Sequence, residues 1–359
     1  MTQMLVNLVS CPLDVNLVPT LNKCHYFQKW GINITFLCSH NLKKRIVSQK
    51  LTQSPHFLFP SSCRENKNLP AFIFEAVRRN FSALKFLNKK FDIVYSPSSV
   101  LDLVFFPFIY RLFHHAHWVS TYDNHVSPKS SPFLACFFHQ ISLLLLKKAD
   151  HLFIPTSQLK KDLIKKNFSL QKLSLAGNAI ESNLIKKAKG KKYLYNAIFL
   201  GRINKTKGIN DLLQIADHIK NIAVIGAGDQ ALEKKLKAHP NIKFLGPQFG
   251  LKKFQLLKSS HVFIFPSYAE SFGIALLEAV CCGLPAITYQ LPVYKHLYKN
   301  QEIIAIPKGN IKTMIKKIKQ ILKNPKKNIA GQKLLNQYSW NKIAQIEINI
   351  IKKFTHDKT

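Results

Sequence analysis

Short apolar runs separated by longer stretches of helical spacing recur along almost the whole chain, and this alternation leaves few folds open. A β-branched and aromatic run too short for a helix reads as a strand buried on both faces. A helix between successive strands makes their connection a parallel crossover. Repeated, the unit builds an α/β protein of doubly wound parallel sheets. In the first half the strand candidates are Met4–Val9, Ile32–Cys38, Ile93–Ser96, His117–Thr121 and His151–Pro155. In the second they are Ala197–Gly201, Ile222–Ile225, Ile242–Leu245, Val262–Pro266 and Ala286–Thr288, with helices around Asn210–Ile219, Gln230–His239, Leu251–Ser259 and Gly273–Cys282.

A chain of 359 residues has the length of two such domains. Between the two sets, Ser182–Lys192 is lysine-rich with little apolar periodicity and reads as the linker. The expected division is therefore residues 1–183, residues 184–338, and a C-terminal helix and tail over 339–359. Ile311–Leu322, Ile329–Gln337 and Trp340–Phe354 read as helices after the second sheet. Trp340, Ile343, Ile346, Ile348, Ile350 and Ile351 make the last of them apolar enough to dock.

Charge narrows the partners without choosing one. The 53 Lys+Arg against 18 Asp+Glu give a net charge of +35, which attracts nucleic acid, anionic headgroups and phosphorylated ligands. Up to Ile180 there are 22 basic and 8 acidic residues, and after it 31 and 10, so no single tail carries the excess. No recognition motif, basic arm or stacking module accompanies it, and a nucleic-acid function is not expected. The seven cysteines, Cys11, Cys24, Cys38, Cys63, Cys136, Cys281 and Cys282, show no CxxC spacing and read as reduced thiols of a cytosolic protein. The opening MTQMLVNLVSCPLDVN has no basic region before its apolar stretch and reads as a first strand rather than a secretory signal. Val100–Leu112 and Phe133–Leu146 are interrupted and fall short of the ~18 apolar residues of a membrane span. Phe133–Leu146, ending at Lys147 and Lys148, is the better candidate for lying against a bilayer.

Three segments can carry chemistry. In Phe265–Gly283, FPSYAESFGIALLEAVCCG, a strand stops at Pro266, a small polar loop follows, and a helix opens near Gly273. That loop lies at the carboxyl edge of the sheet, where open α/β folds bind ligands. Amides around Phe272 and Gly273, with Ile274 behind them, would face an anion or a hydroxyl-rich group, and Gly273 permits close approach. Glu270 and Glu278 bracket the helix start, eight residues apart or roughly 12 Å along a helix. Two carboxylates so spaced suit two polyhydroxyl units flanking a short anionic bridge, the shape of a nucleoside diphosphate sugar. In Phe199–Gly208, FLGRINKTKG, a strand ends at Gly201 and is followed by Arg202, Lys205 and Lys207, placed to neutralise a diphosphate. Arg202 is the only arginine after residue 180, which lifts it above the lysine background. Val224–Asp229, VIGAGD, runs a strand into a Gly226-x-Gly228 turn that lacks a third glycine, so a structural turn and a nucleotide-facing one both remain open.

Glu270-x7-Glu278 within FPSYAESFGIALLEAVCCGLPAI, with FLGRINKTKGINDLL, VIGAGDQALEKKLK, NIKFLGPQFGLKKFQLLKSSHVFIFPS and YSWNKIAQIEINIIKKF, resembles the C-terminal half of the family 4 retaining glycosyltransferases. The resemblance covers about Ala197–Phe354. It implies the GT-B architecture: two Rossmann-like doubly wound domains facing a cleft, acceptor side first and donor side second, with a C-terminal helix crossing back to the first. It implies that Arg202 and Lys207 bind the donor diphosphate near Gly201 and Gly226. Glu270, with the amides of Phe272 and Gly273, would hold the sugar, and Glu278 the ribose. The base would be read by backbone near Phe244–Gln248.

The first half is less alike. ADHLFIPTSQLKKDLIKK and LAGNAIESN are similar to the family's approach to the linker, but Ser10-Cys11-Pro12-Leu13-Asp14 stands where a glycine-rich loop is usual, and Gly31 is the chain's first glycine. Where the family has His-Asp, the chain reads Tyr122-Asp123. Asp123 is kept as an acceptor-side catalytic candidate, while a phenol of unperturbed pKa ~10 is a poor proton carrier. His114, His115, His117 and His125 nearby read as structural or surface residues.

The expected function is transfer of a hexose from a nucleotide diphosphate sugar to a lipid-linked or envelope-glycan acceptor such as lipopolysaccharide, without a cofactor or metal, since no Asp-x-Asp or His/Asp cluster is present. Basic charge with Phe105, Phe106, Phe108 and Phe113 suggests a cytoplasmic protein docked on an anionic membrane surface. The alternatives are a non-catalytic nucleotide-sugar-binding protein with a decayed acceptor side, and a sugar-nucleotide epimerase.

Overall fold

A computed structural model describes residues 1–9, 17–53, 55–60, 69–123, 133–191, 193–298, 302–325 and 327–356. Ser10–Asp14, Cys11, Cys63 and His125, singled out above, lie outside the described residues. The chain divides into two units, Met1–Gly177 with Trp340–Thr359, and Asn178–Ser339. The break falls at Gly177, upstream of the expected linker, because Ser182–Lys187 is a short helix whose Ile185 is buried in the second unit. One apolar anchor among lysines gives too weak a periodicity to betray a helix.

The first unit holds a seven-stranded sheet: β1 Gln3–Leu8, β2 Asn33–Cys38, β3 His56–Leu58, β4 Ile93–Ser96, β5 His117–Thr121, β6 His151–Ile154 and β7 Leu173–Leu175, in the order β3-β2-β1-β4-β5-β6-β7. Every pairing is parallel. Strand residues alternate between two cores, as the period of two requires. Met4, Val6, Ile93 and Tyr95 pack with helices Leu17–Lys29 and His40–Ser48 on one face; Leu5, Val9 and Val94 pack with Leu69–Ala83 and Leu101–Phe113 on the other. The C-terminal helix Trp340–His356 joins the first face through Ala344, Ile348 and Ile351, so it belongs to the first unit. Lys23, on Leu17–Lys29, reaches Glu347 of that helix at 2.6 Å, and both side chains are almost wholly buried.

The second unit has six parallel strands, β8 Tyr195–Leu200, β9 Ile222–Ile225, β10 Ile242–Gly246, β11 Ser260–Phe265, β12 Ala286–Tyr289 and β13 Ile304–Ile306, in the order β10-β9-β8-β11-β12-β13. The chain enters and leaves this unit side by side: Ile180 N–H donates to Tyr338 O at 2.8 Å, and Ile180 bridges Ser339. Order reverses between β8 and β11, and that switch point opens a crevice at the carboxyl ends of the central strands. No helix among the described residues is long and apolar enough to cross a membrane.

Candidate functional site

Three loops meet at the carboxyl ends of β8, β9 and β11, held together by main-chain bonds. Gly201 N–H donates to Ile225 O at 3.1 Å, Ile203 N–H to Ala227 O at 3.0 Å, and Asp229 N–H to Ile203 O at 2.8 Å. This lacing explains Gly226: at φ +148° a Cβ there would sit 1.9 Å from Gly201 O. Close backbone approach, not ligand contact, demands that glycine.

After Gly201 the chain turns through Lys205–Lys207, capped by Asn204, whose Oδ1 accepts from Lys207 N at 3.0 Å. Gly208 then takes φ +70°, and a Cβ would lie 1.9 Å from Pro266 O, so only glycine lets this turn lie against the end of β11. Tyr268 N–H closes the contact by donating to Thr206 O at 2.8 Å. The result brings Lys207 Nζ to 2.5 Å from Glu270 Oε1, with both side chains about nine-tenths buried. Arg202, which follows Gly201, stays exposed, with no ion-pair partner among the described residues.

Behind Glu270, helix Ile274–Cys281 starts at Gly273, which sits at φ +86° and where a Cβ would approach Tyr294 Cε1 to 3.1 Å. No side chain caps this helix start. Its first amides are therefore left without a capping side chain, at the positive end of the dipole. Ile274 is 37% exposed at this opening, whereas the Phe272 side chain is buried edge-on against Tyr338. Of Phe272, only the main chain can serve a ligand. Glu278, one face further along, is buried and takes Lys253 Nζ at 2.6 Å from helix Gly250–Lys258. Burial pushes its carboxyl up, and Lys253 opposes that.

A second tier supports these groups. Asp211, buried on helix Ile209–Ala216, accepts from Tyr268 Oη at 2.7 Å and from Tyr289 Oη. It ties the 266–270 loop to the sheet. Lys253 and Asp211 were not legible in the sequence, one lost in a Lys-Lys doublet and the other resembling an ordinary acid at a helix start.

In the first unit Asp123 follows β5, its Oδ1 accepting from Ser98 Oγ at 2.8 Å and Ser99 N–H at 3.4 Å. Tyr122 points the other way. It is 2% exposed in the core, its hydroxyl 3.4 Å from His139 Nε2, and burial followed by Asp162 and Asp123 drives its pKa above the usual phenol range. A side chain so placed carries no proton to a ligand. His114 bonds Leu87 O and His117 stacks on Phe354, both structural contacts.

Two cationic side chains and the amides of a helix start are groups that can bind a diphosphate, and two carboxylates can bind hydroxyls; all belong to the second unit, on the segments that follow β8 and β11. Residues 181–335 match the family described as Glycosyl transferases group 1. The chain is 28% identical over 176 residues to an uncharacterized glycosyltransferase of Methanocaldococcus jannaschii, spanning 43% of this chain and 44% of that protein. It is 26% identical over 165 residues to a phosphatidyl-myo-inositol mannosyltransferase of Mycobacterium leprae, spanning 41% of this chain and 43% of that protein. These matches thus span less than half the length of either relative. Over nearly the full length, 98% of this chain and 100% of the other, the fold is that of Anabaena HepE solved with UDP and glucose, at a TM-score of 0.76 and 12% identity. The likeness to group 1 glycosyl transferases thus lies in the second unit, while the likeness that covers both units is one of fold: two parallel-sheet domains of the GT-B kind.

Proposed function

We propose that the chain transfers a hexose from a nucleotide diphosphate sugar to a lipid-linked or envelope-glycan acceptor, with retention of configuration and without a metal ion or cofactor. The observation that carries this reading is the pair of buried carboxylates, each held by a lysine, around an uncapped helix start. A carboxylate that accepts from one lysine keeps lone pairs for sugar hydroxyls. Glu270 with the amides of Phe272 and Gly273 holds the hexose, Glu278 holds the ribose, and Arg202 with Lys207 holds the diphosphate. When the sugar–phosphate bond breaks, its electron pair leaves on the diphosphate. That new charge meets Arg202, Lys207 and the helix start, all in place beforehand. The acceptor oxygen bonds the anomeric carbon on the face the phosphate leaves, and its proton passes to the departing phosphate. Tyr122 has no part in this step, and Asp123 serves on the acceptor side.

The HepE complex makes a uridine diphosphate sugar the first donor to try, and the mannosyltransferase's phosphatidyl-myo-inositol supports a lipid-linked acceptor. Such an acceptor places the protein at the cytoplasmic face of the cell membrane. The burial of Tyr122 also favours a second reading, a non-catalytic nucleotide-sugar-binding protein.

Thermal shift with uridine and guanosine diphosphate sugars, without metal, tests binding: at a hundred times the dissociation constant the native state gains ~2.7 kcal/mol. Turnover then separates the readings. Arg202→Ala and Glu270→Ala should each lower it by ~10²–10³-fold, the loss typical of one preorganised charge-stabilising group. Variants within about threefold of wild type would remove this site from the reaction. Binding without turnover would favour the non-catalytic reading, and an epimerised donor in the absence of acceptor would favour an epimerase.

A further inference from the structure

Exposed apolar side chains are unevenly spread over the first unit. On the face covered by Leu17–Lys29 and His40–Ser48, the large ones are Val18 and Val47. On the other face, Leu69–Ala83, Leu101–Phe113 and Phe133–Leu146 lie side by side, with the rings of Phe81 and Phe105 6.1 Å apart. Their outward sides carry Phe74, Phe81, Leu112, Phe113, Phe133 and Leu144, each at least 60% exposed, and four of the six gather at one end. Phe106, expected to contribute, is fully buried against the sheet.

All the strands are parallel, so the helices between them run the opposite way and end together at the strands' amino edge. Phe81, Leu112, Phe113 and Leu144 all lie within the last turn of their helices and share that edge. Directly beyond those ends come Lys85, Lys89 and Lys90, and Lys147 and Lys148, all exposed. Phe133–Leu146 carries no acid, and the acids of the other two helices are engaged inside the layer, Glu75 with Arg78 and Asp102 with Arg79. Asp92, just before β4, accepts from Gln3 N–H at 2.9 Å, and Asp150, beyond the third helix, pairs with Arg111. The edge is thus an apolar tip ringed by lysines.

We propose that this edge docks on an anionic lipid bilayer, with Phe81, Leu112, Phe113 and Leu144 in the acyl–headgroup boundary and the five lysines on headgroup phosphates. Apolar side chains flanked by cations bind such a surface by both terms, whereas either alone gives weak attachment. A second copy of the chain is a poorer occupant, because a two-fold contact sets the same surface against itself, and the two acids of this edge, Asp92 and Asp150, already have partners while five lysines remain. The inference is independent of the transferase reading: vesicle binding needs no donor, and donor binding needs no vesicle.

Co-sedimentation of the full chain with vesicles of equimolar phosphatidylglycerol and phosphatidylcholine tests it. Wild type should pellet with these and remain free of pure phosphatidylcholine vesicles. Phe81→Ser/Phe113→Ser/Leu144→Ser, which leaves net charge unchanged, should weaken binding roughly tenfold or more, since binding scales with buried apolar area. Lys234→Ser/Lys235→Ser, exposed in the second unit, should leave it unchanged. Tryptophan emission confirms that the triple variant folds, as Trp30, Trp118 and Trp340 all lie in the first unit. The proposal is overturned if wild type does not pellet, or if the second-unit variant loses as much binding as the triple variant, which would make the attraction diffuse. It is equally overturned if sedimentation velocity shows a dimer that the triple variant dissolves.

Discussion

In the first unit, Lys23 and Glu347 pair at 2.6 Å between two regular helices, with Lys23 Nζ also donating to Tyr95 Oη at 3.3 Å. In the second, Lys207–Glu270 and Lys253–Glu278 pair at 2.5 and 2.6 Å with burial nearly as deep. By charge, distance and burial the three are alike. The backbone around them is not. The first pair joins continuous helices, as Lys253 and Glu278 also do, while Lys207 and Glu270 hang on segments that need left-handed glycines at 208 and 273 and end at an uncapped helix. Buried ion pairs therefore do not mark a site by themselves; a site is marked where irregular backbone brings them to a strand's carboxyl edge beside unengaged amides.

The largest effect should come from breaking the structural pair. Lys23→Met leaves Glu347 buried without its cation, which costs about 3–5 kcal/mol in proteins of this kind, whereas replacing both partners by apolar groups is often neutral. Urea unfolding followed by tryptophan emission, which reports the first unit, should show the loss in Lys23→Met and most of the stability regained in Lys23→Met/Glu347→Leu. Donor affinity should be unchanged in both. A drop in donor affinity would mean that this pair is not purely structural and that the contrast fails.

Asp211→Asn should be smaller and of the opposite character. The carboxylate receives two phenol hydroxyls, and hydrogen bonds to a charged group contribute ~1.5–3 kcal/mol each, part of which an amide oxygen retains. Because Tyr268 also fastens the 266–270 loop through Thr206 O, the variant should raise the donor's dissociation constant, by about tenfold for each ~1.4 kcal/mol lost. Tryptophan-monitored unfolding should hardly move. Donor binding at wild-type strength would show that the loop does not need this anchor.

What the sequence yielded divides along physical lines. Ile93–Ser96 and Ile222–Ile225 lie inside their sheets, are covered on both faces, and so read as unbroken apolar runs that match the strands residue for residue. His56–Leu58, Leu173–Leu175 and Ile304–Ile306 went unread because they are three-residue strands at sheet edges, too short for any period to show. Glu270 and Glu278 stood out because acids are scarce in this chain, and Arg202 because arginine is scarcer still in its half. Lys253 could not stand out among so many lysines. Glu347 was hidden in the opposite way: an isoleucine-rich helix predicts an apolar inner face, and nothing in that pattern says that one of the residues turned inward is an acid waiting for Lys23.

The smallest effect concerns a group in the first unit that is buried with no counter-charge. His151 on β6 is 6% exposed, its ring lies near Phe153 and Phe354, and its Nε2 has no hydrogen-bond partner among the described residues. Burial, then Lys160 and Lys353, holds its pKa down to about 4 from an ordinary 6.5. The folded state therefore refuses a proton that the unfolded chain accepts between those values. Stability that is complete above pH ~6.5 should decline as pH falls toward ~4, because the unfolded state binds more protons in that window. His151→Phe removes the titrating group and should flatten the decline in the tryptophan-monitored midpoint. If wild type and variant lose stability in parallel, the imidazole is charged in the folded state, and the first unit holds an uncompensated cation beside two lysines that its packing gives no means to stabilise.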